Sequence, residues 1–163
     1  MCDPSNGPGS GSELDIEIEI DIVREAPTEA IVALYEAGGW WRETPEARAA
    51  IPALIAGSFC FALARDREGR IVGMGRVISD GVSDAYIQDV VVLRCCRGRG
   101  IGRAIMERLV RHCIERRIGW IGLVAEPGTS DFYAALGFEP LEGHCPHLYR
   151  LDRQVPRTTG EVV

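Results

Sequence analysis

At 163 residues with a formal net charge of −6, the chain is long enough for one domain with a sizeable core and too acidic for a broad nucleic-acid footprint. Hydrophobic residues at 46% and charged residues at 26% are an ordinary globular balance, and no apolar run approaches the roughly 18 residues of a membrane span. Nucleic acid and membrane are therefore not expected partners. No basic-then-apolar leader is visible, so the six cysteines (Cys2, Cys60, Cys95, Cys96, Cys113, Cys145) read as free thiols of a cytoplasmic protein. None lies in a metal-binding spacing, and no metal is expected.

Residues 1–12 (MCDPSNGPGSGS) read as a disordered leader to a single domain over 13–153, followed by a flexible tail over 154–163. From Glu13 to Arg24, Ile16, Ile18, Ile20 and Ile22 alternate with Glu17, Glu19 and Asp21, which predicts a half-buried strand with an acidic outer face. Thr28 to Ala37 predicts a short helix with Ile31, Leu34 and Tyr35 on one side, stopped by Gly38-Gly39. Trp40 and Trp41 come next, in a loop. They read either as a core anchor or dimer contact, which leaves a homodimer open, or as the wall of a substrate pocket. Thr44 and Pro45 supply an N-cap and a first-turn proline for a second helix over 45–56, which Pro52 can bend or shorten.

Residues 58–66 and 70–79 predict two strands joined by a tight turn at Arg67-Glu68-Gly69. Gly73 and Gly75 leave one face of the second strand bare, which signals a bulge or a close neighbour. Residues 84–93 form the next strand, and Val90-Val91-Val92 has the continuous apolar run of a central one. In the helix over 100–117, Ile101, Ile105, Leu109 and Cys113 recur every four residues. A buried strand over 118–125 and a short helix over 129–136 come after it, and 138–141 with 147–151 complete the sheet as a hairpin. The expected architecture is one α/β domain: a mixed, mostly antiparallel sheet with helices on both faces.

Residues 94–103 carry four arginines and no acid, in a chain that is acidic overall. A strand running into a glycine-rich helix N-terminus is a place to hold a phosphate. A dinucleotide fingerprint G-x-G-x-x-G fails from Gly98 because position 103 is arginine, and fails from Gly100 because position 105 is isoleucine. No GxxxxGK[ST] string is present.

Arg97-Gly98-Arg99-Gly100-Ile101-Gly102 matches the pattern Arg/Gln-x-x-Gly-x-Gly/Ala. There the chain resembles the GCN5-related N-acetyltransferase (GNAT) superfamily, whose motif binds the coenzyme A pyrophosphate through backbone N–H groups. Ser130 to Glu139 (SDFYAALGFE) resembles the family's downstream FYxxLGF motif, one helix and one strand further on. The resemblance covers about residues 16–152. Departures are Arg94-Cys95-Cys96 where the family often has Pro-Glu-Tyr, and Tyr86 where the histone-acetylating branch has its glutamate base.

The resemblance implies an N-acetyltransferase that takes acetyl-CoA as donor and a primary amine as acceptor, with direct attack in a ternary complex. It implies backbone contacts from Val90, Val91 and Val92 to the pantetheine arm, with an N–H near Val91 polarising the thioester carbonyl. Arg97, Gly98, Arg99, Gly100, Ile101, Gly102 and Arg103 would hold the pyrophosphate. Tyr133 would protonate the departing thiolate, since a phenol is protonated at neutral pH. For the base, Asp89 leads, with Glu126, Asp80 and Asp84 as alternatives. Trp40, Trp41 and Asp89 would meet the acceptor. A small-molecule amine is the first expectation. A protein amine, N-terminal or lysine, and a silent CoA-binding module are the alternatives.

Overall fold

A computed structural model describes residues 17–149. The expected leader, the first residues of the first strand, the end of the last strand and the tail lie outside the described residues. The elements run β1 (Glu19–Ile22), α1 (Thr28–Gly38), α2 (Pro45–Gly57), β2 (Cys60–Arg65), β3 (Ile71–Ser79), β4 (Asp84–Val92), a single 3-10 turn (Arg94–Cys96), α3 (Ile101–Glu115), β5 (Trp120–Gly122) and α4 (Ser130–Ala134). The strands lie in sequence order across one sheet, all antiparallel except β4 with β5. The helix α3 makes the crossover that a parallel pair requires.

Two apolar layers cover the two faces. On one, Ile31 and Leu34 of α1 and Ile51 and Ile55 of α2 pack against Phe61, Leu63, Met74 and Val91. On the other, Ile101, Ile105, Met106, Leu109 and Cys113 of α3 pack against Ala62, Ala64, Val77, Ala85 and Ile87. The i, i+4 stripe read from the α3 sequence is the face that is buried. Thr44 caps α2 as expected, its Oγ1 accepting from the Ala47 amide at 3.0 Å, and the helix continues through Pro52.

Gly73 and Gly75 have their close neighbour. A Cβ on Gly73 would lie 2.9 Å from Ile105 Cδ1, and one on Gly75 would lie 2.9 Å from Ile105 Cγ2 and 3.0 Å from Leu109 Cδ1. The missing side chains let α3 sit down on the sheet. The bulge is there too, on the partner strand. Met74 pairs with Val91 and Arg76 with Gln88, so Asp89 and Val90 together face Gly75.

The expected hairpin over 138–141 and 147–151 is a correction. No residue from 138 to 149 is in a strand, and residues 150–151 lie outside the described residues. Pro140 and Pro146 bring no N–H to a ladder. Leu141, Leu148 and Tyr149 are exposed, so the segment has no buried face to fix a register. The strand expected over 118–125 is cut to the three residues of β5.

Candidate active site

The bulge in β4 decides where the site's charge goes. Ile87 faces α3, so strict alternation would send Asp89 to the same apolar layer. Asp89 instead takes φ 56°, a left-handed conformation that aspartate tolerates better than most residues. Its carboxylate therefore emerges on the α1 face. There Oδ2 accepts from the Tyr35 hydroxyl at 2.8 Å and from Arg76 Nε at 2.5 Å, and Arg76 Nη2 donates to Gln88 Oε1 at 2.8 Å. The ion pair is largely shielded, with side-chain exposures of 16% for Arg76 and 22% for Asp89. Burial first, and then the Asp89 carboxylate, push the Tyr35 phenol far above its ordinary value, so it remains a donor.

Tyr35 also organises the two tryptophans. Its ring stacks on Trp41 at 6.2 Å and meets Trp40 edge-on at 6.5 Å. Trp41 is the anchor of the two. Its Nε1 donates to Glu43 at 2.8 Å, and Arg48 grips both oxygens of Glu43 while also reaching Glu29. Trp40 is 41% exposed and lies over Gly38, where a Cβ would sit 2.7 Å from its ring. The structure thus brings Trp40, Trp41 and Asp89 into one cluster through Tyr35. Tyr35 and Arg76 were not singled out from the sequence as site residues. A lone arginine in the apolar stretch Ile71–Ser79 was the available signal for Arg76. Tyr35 read simply as the apolar side of a helix.

The donor side begins where β5 stops. The parallel pairing covers only Asp84 to Tyr86, so the β5-facing edge of β4 is open from Ile87 onward. The Leu93 amide donates back to Val72 O at 2.9 Å. By alternation Val91 also faces β3, and Val92 turns its N–H toward the open edge. Of these two amides, it is therefore that of Val92 that faces the open edge.

Beyond the strand, Gly98 and Gly100 take φ 76° and 75°, conformations that side chains rarely adopt. Among the described residues, the amides from 98 to 103 make no hydrogen bond, and the α3 N-terminus has no side-chain cap. Six unbonded backbone donors lie at the positive end of a 15-residue helix. That donor set fits a pyrophosphate.

The four arginines divide. Arg97 donates from Nε to Val92 O at 2.9 Å and from Nη2 to Ala37 O at 3.2 Å. Arg103 donates to Ala135 O at 3.1 Å and pairs with Glu107 at 3.4 Å. Both guanidinium groups tie elements together. The guanidinium groups of Arg94 and Arg99, both exposed residues, make no hydrogen bond or ion pair among the described residues.

Tyr133 lies half-buried in α4, its ring edge-on to Phe132 at 5.0 Å and to Phe138 at 6.1 Å. Burial, and then the Glu126 carboxylate, raise its phenol above the usual 10.0. Phe132 holds the short helix against the turn, since a Cβ on Gly102 would be 3.6 Å from its Cζ. Glu126 is exposed on the loop before α4, and Asp80 and Asp84 lie on the turn at the far end of β4.

A family profile described as "Acetyltransferase (GNAT) domain" matches residues 56–140, which span β2 to α4 and the whole of the donor side. The chain belongs to the GNAT family. This GNAT chain is 40% identical over 94 residues to serotonin N-acetyltransferase 2 of Oryza sativa, covering 56% of this chain and 47% of that protein. It is 43% identical over 75 residues to GCN5-related N-acetyltransferase 2 of Arabidopsis thaliana, covering 46% and 29% respectively. It spans less than half the length of these relatives.

Among solved structures, a probable acetyltransferase from Staphylococcus aureus superposes with a TM-score of 0.69 at 25% identity, covering 82% of this chain and 98% of the other. A GNAT family acetyltransferase from Streptococcus pneumoniae gives 0.68 at 26%, covering 85% and 100%. Membership of this family, together with the fold, implies acetyl-CoA as donor.

Proposed function

We propose that this GNAT chain transfers the acetyl group of acetyl-CoA to the primary amine of a small molecule with an aromatic body, an arylalkylamine. One observation carries the acceptor class. The half-exposed Trp40 ring and the Asp89 carboxylate are joined through Tyr35 on the α1 face of β4, beside the bulge. An aromatic wall and an anion that both contact one tyrosine suit an amine on a short arm from a ring. The rice relative named for serotonin agrees with that class.

The residues divide the work. The amides from 98 to 103 and the Arg99 guanidinium hold the pyrophosphate, and the open edge of β4 aligns the pantetheine arm as an added strand. Acetyl-CoA supplies a thioester carbonyl. The Val92 N–H polarises it and stabilises the negative charge that builds on its oxygen. The amine nitrogen bonds to the carbonyl carbon and the carbon–sulfur bond breaks. Tyr133 gives its phenol proton to the departing sulfur, and Asp89 takes the proton that the amine loses. Because both protein hydrogen bonds of Asp89 land on Oδ2, Oδ1 is the oxygen assigned to that proton. Positioning of the two reactants is the largest share of the acceleration.

The test is thiol release from acetyl-CoA with tryptamine, spermidine, glucosamine 6-phosphate and a lysine-containing peptide as acceptors. Tryptamine is expected to give the highest kcat/KM by at least about tenfold, and Trp40→Ala to raise its KM with little change in kcat. A preference for the peptide would favour the protein-amine alternative, to which the histone acetyltransferase of Glycine max, 40% identical over 74 residues, lends its name. Tyr86 at the position of that branch's base weighs against it.

A further inference from the structure

The arginine that opens the donor motif does not reach toward the donor turn. Its side chain runs the other way, bridging the carbonyl of Val92 at the end of β4 and the carbonyl of Ala37, 60 residues away, in the last turn of α1. Helix carbonyls at that end lack intrahelical partners and carry the negative end of the macrodipole. The helix α1 has no basic residue in its own last turn. Arg97 supplies the missing cation from across the sheet.

The contact with Ala37 matters because of the residues on either side of it. Gly38 lies under the Trp40 ring, Gly39 turns the chain at φ 77°, and the Trp40 amide closes the helix on Tyr35 O at 3.0 Å. Tyr35 in turn is fixed to Asp89 at 2.8 Å. The same short stretch therefore carries the aromatic wall and the hydroxyl that holds Asp89. One residue beyond Arg97, the chain enters Gly98 and the run of unbonded amides. Arg97 is the covalent neighbour of the donor turn and the hydrogen-bonded neighbour of the acceptor loop.

We propose that Arg97 is a positioning residue that couples the two halves of the site: filling the donor turn fixes Arg97, and Arg97 fixes the end of α1 and the setting of Trp40. This rests on the donor-site assignment above. Two sites that share one two-carbonyl clamp are energetically linked, and the linkage is reciprocal. A guanidinium holds two acceptors in a fixed fork, whereas an ammonium is a single point of donation. Lysine at this position is therefore expected to keep one carbonyl and release the other.

The experiment uses the full chain and coenzyme A alone, so no acceptor need be known. Calorimetry gives CoA affinity, and the part of the tryptophan emission change that Trp40→Phe abolishes reports the acceptor loop. The unaltered chain is expected to bind CoA and to show a Trp40 response. Arg97→Ala is expected to keep CoA affinity within about threefold while losing that response at saturation. Arg97→Lys should keep it in part. Arg99→Ala, whose side chain points to no protein group, should weaken CoA by about fivefold or more and leave the saturated response intact. If Arg97→Ala melts too low to be measured, Arg97→Lys is read in its place.

The proposal is overturned if Arg97→Ala weakens CoA as much as Arg99→Ala does with the Trp40 response unchanged, because Arg97 is then a phosphate ligand. It is equally overturned if the unaltered chain binds CoA with no Trp40 response. Absence of CoA binding by the unaltered chain contradicts the donor-site assignment and removes the clamp with it.

Discussion

At the residue scale, the proposed mechanism turns on protons held and given at named atoms. Tyr133 is kept protonated by burial and by Glu126. Its phenol is raised, so the proton is fully present through the neutral range and is lost only as pH rises through a value above 10.0. The pH–rate profile is thus expected to stay flat on its alkaline side to about pH 10. Tyr133→Phe should lower kcat by about 10²-fold or more with acetyl-CoA affinity nearly unchanged. Asp89→Asn should also lower kcat by about 10²-fold or more. Unchanged turnover in either variant removes that residue from the mechanism. Asp89 was visible in the sequence beside the valine run, and Tyr133 in its motif. The partners that define Asp89 were not. Tyr35 is 54 residues from it, and the positive φ that aims it at Tyr35 leaves no mark in a pattern of alternating residues. The tryptophan pair likewise read as a unit, either an anchor or dimer contact or a pocket wall. A hydrogen bond from Trp41 to a Glu43 already gripped by Arg48 separates the anchor from the exposed ring.

At the element scale, the helix α3 and the strand beneath it are matched by absence of side chains. Gly73 and Gly75 accept Ile105 and Leu109 at distances that a methyl group would close to 3.0 Å or less. Gly75→Ala must push three side chains from two elements, α3 and β4, since Val90 Cγ2 is also only 3.2 Å away. Overpacking of this kind costs about 1–3 kcal/mol. The expected drop in melting temperature is roughly 3–10 °C. Gly57→Ala, at the end of α2 with nothing within 4 Å, is the control and should not lower it. An equal effect of the two would mean that α3 is not seated as described. Both glycines and the α3 stripe were legible in the sequence because their periods are local. The last two strands were not: 138–141 and 147–149 carry strand-like residues, but Pro140 and Pro146 and the exposure of Leu141, Leu148 and Tyr149 leave these described residues out of the ladder. Sheet pairing is decided by the neighbour available, and a single sequence does not print it.

At the scale of the molecule, the site is a consequence of the sheet. Antiparallel pairing up to β4 fixes the α1 face, and the short parallel pairing with β5 leaves the rest of β4 exposed along one edge. The bulge sends one side chain to the acceptor side while the next residues continue toward the turn. In the proposed function, donor and acceptor groups meet across this single strand, whose C-terminal end leads to the α3 N-terminus and is tied through Arg97 to the end of α1. The family and the order of most elements were legible because two short motifs flank α3 at the spacing this architecture needs. The proposed acceptor class was not, since it depends on Trp40, Tyr35 and Asp89 meeting from three separate elements.

The central claim is that the amides from 98 to 103 receive acetyl-CoA. Its direct test is calorimetric titration of acetyl-CoA into the unaltered chain and into Gly100→Val, which forces a branched side chain into a left-handed position at φ 75°. One-to-one binding is expected in the unaltered chain, weakened at least about tenfold, or 1.4 kcal/mol, in the variant. Equal binding by a folded Gly100→Val would contradict the account.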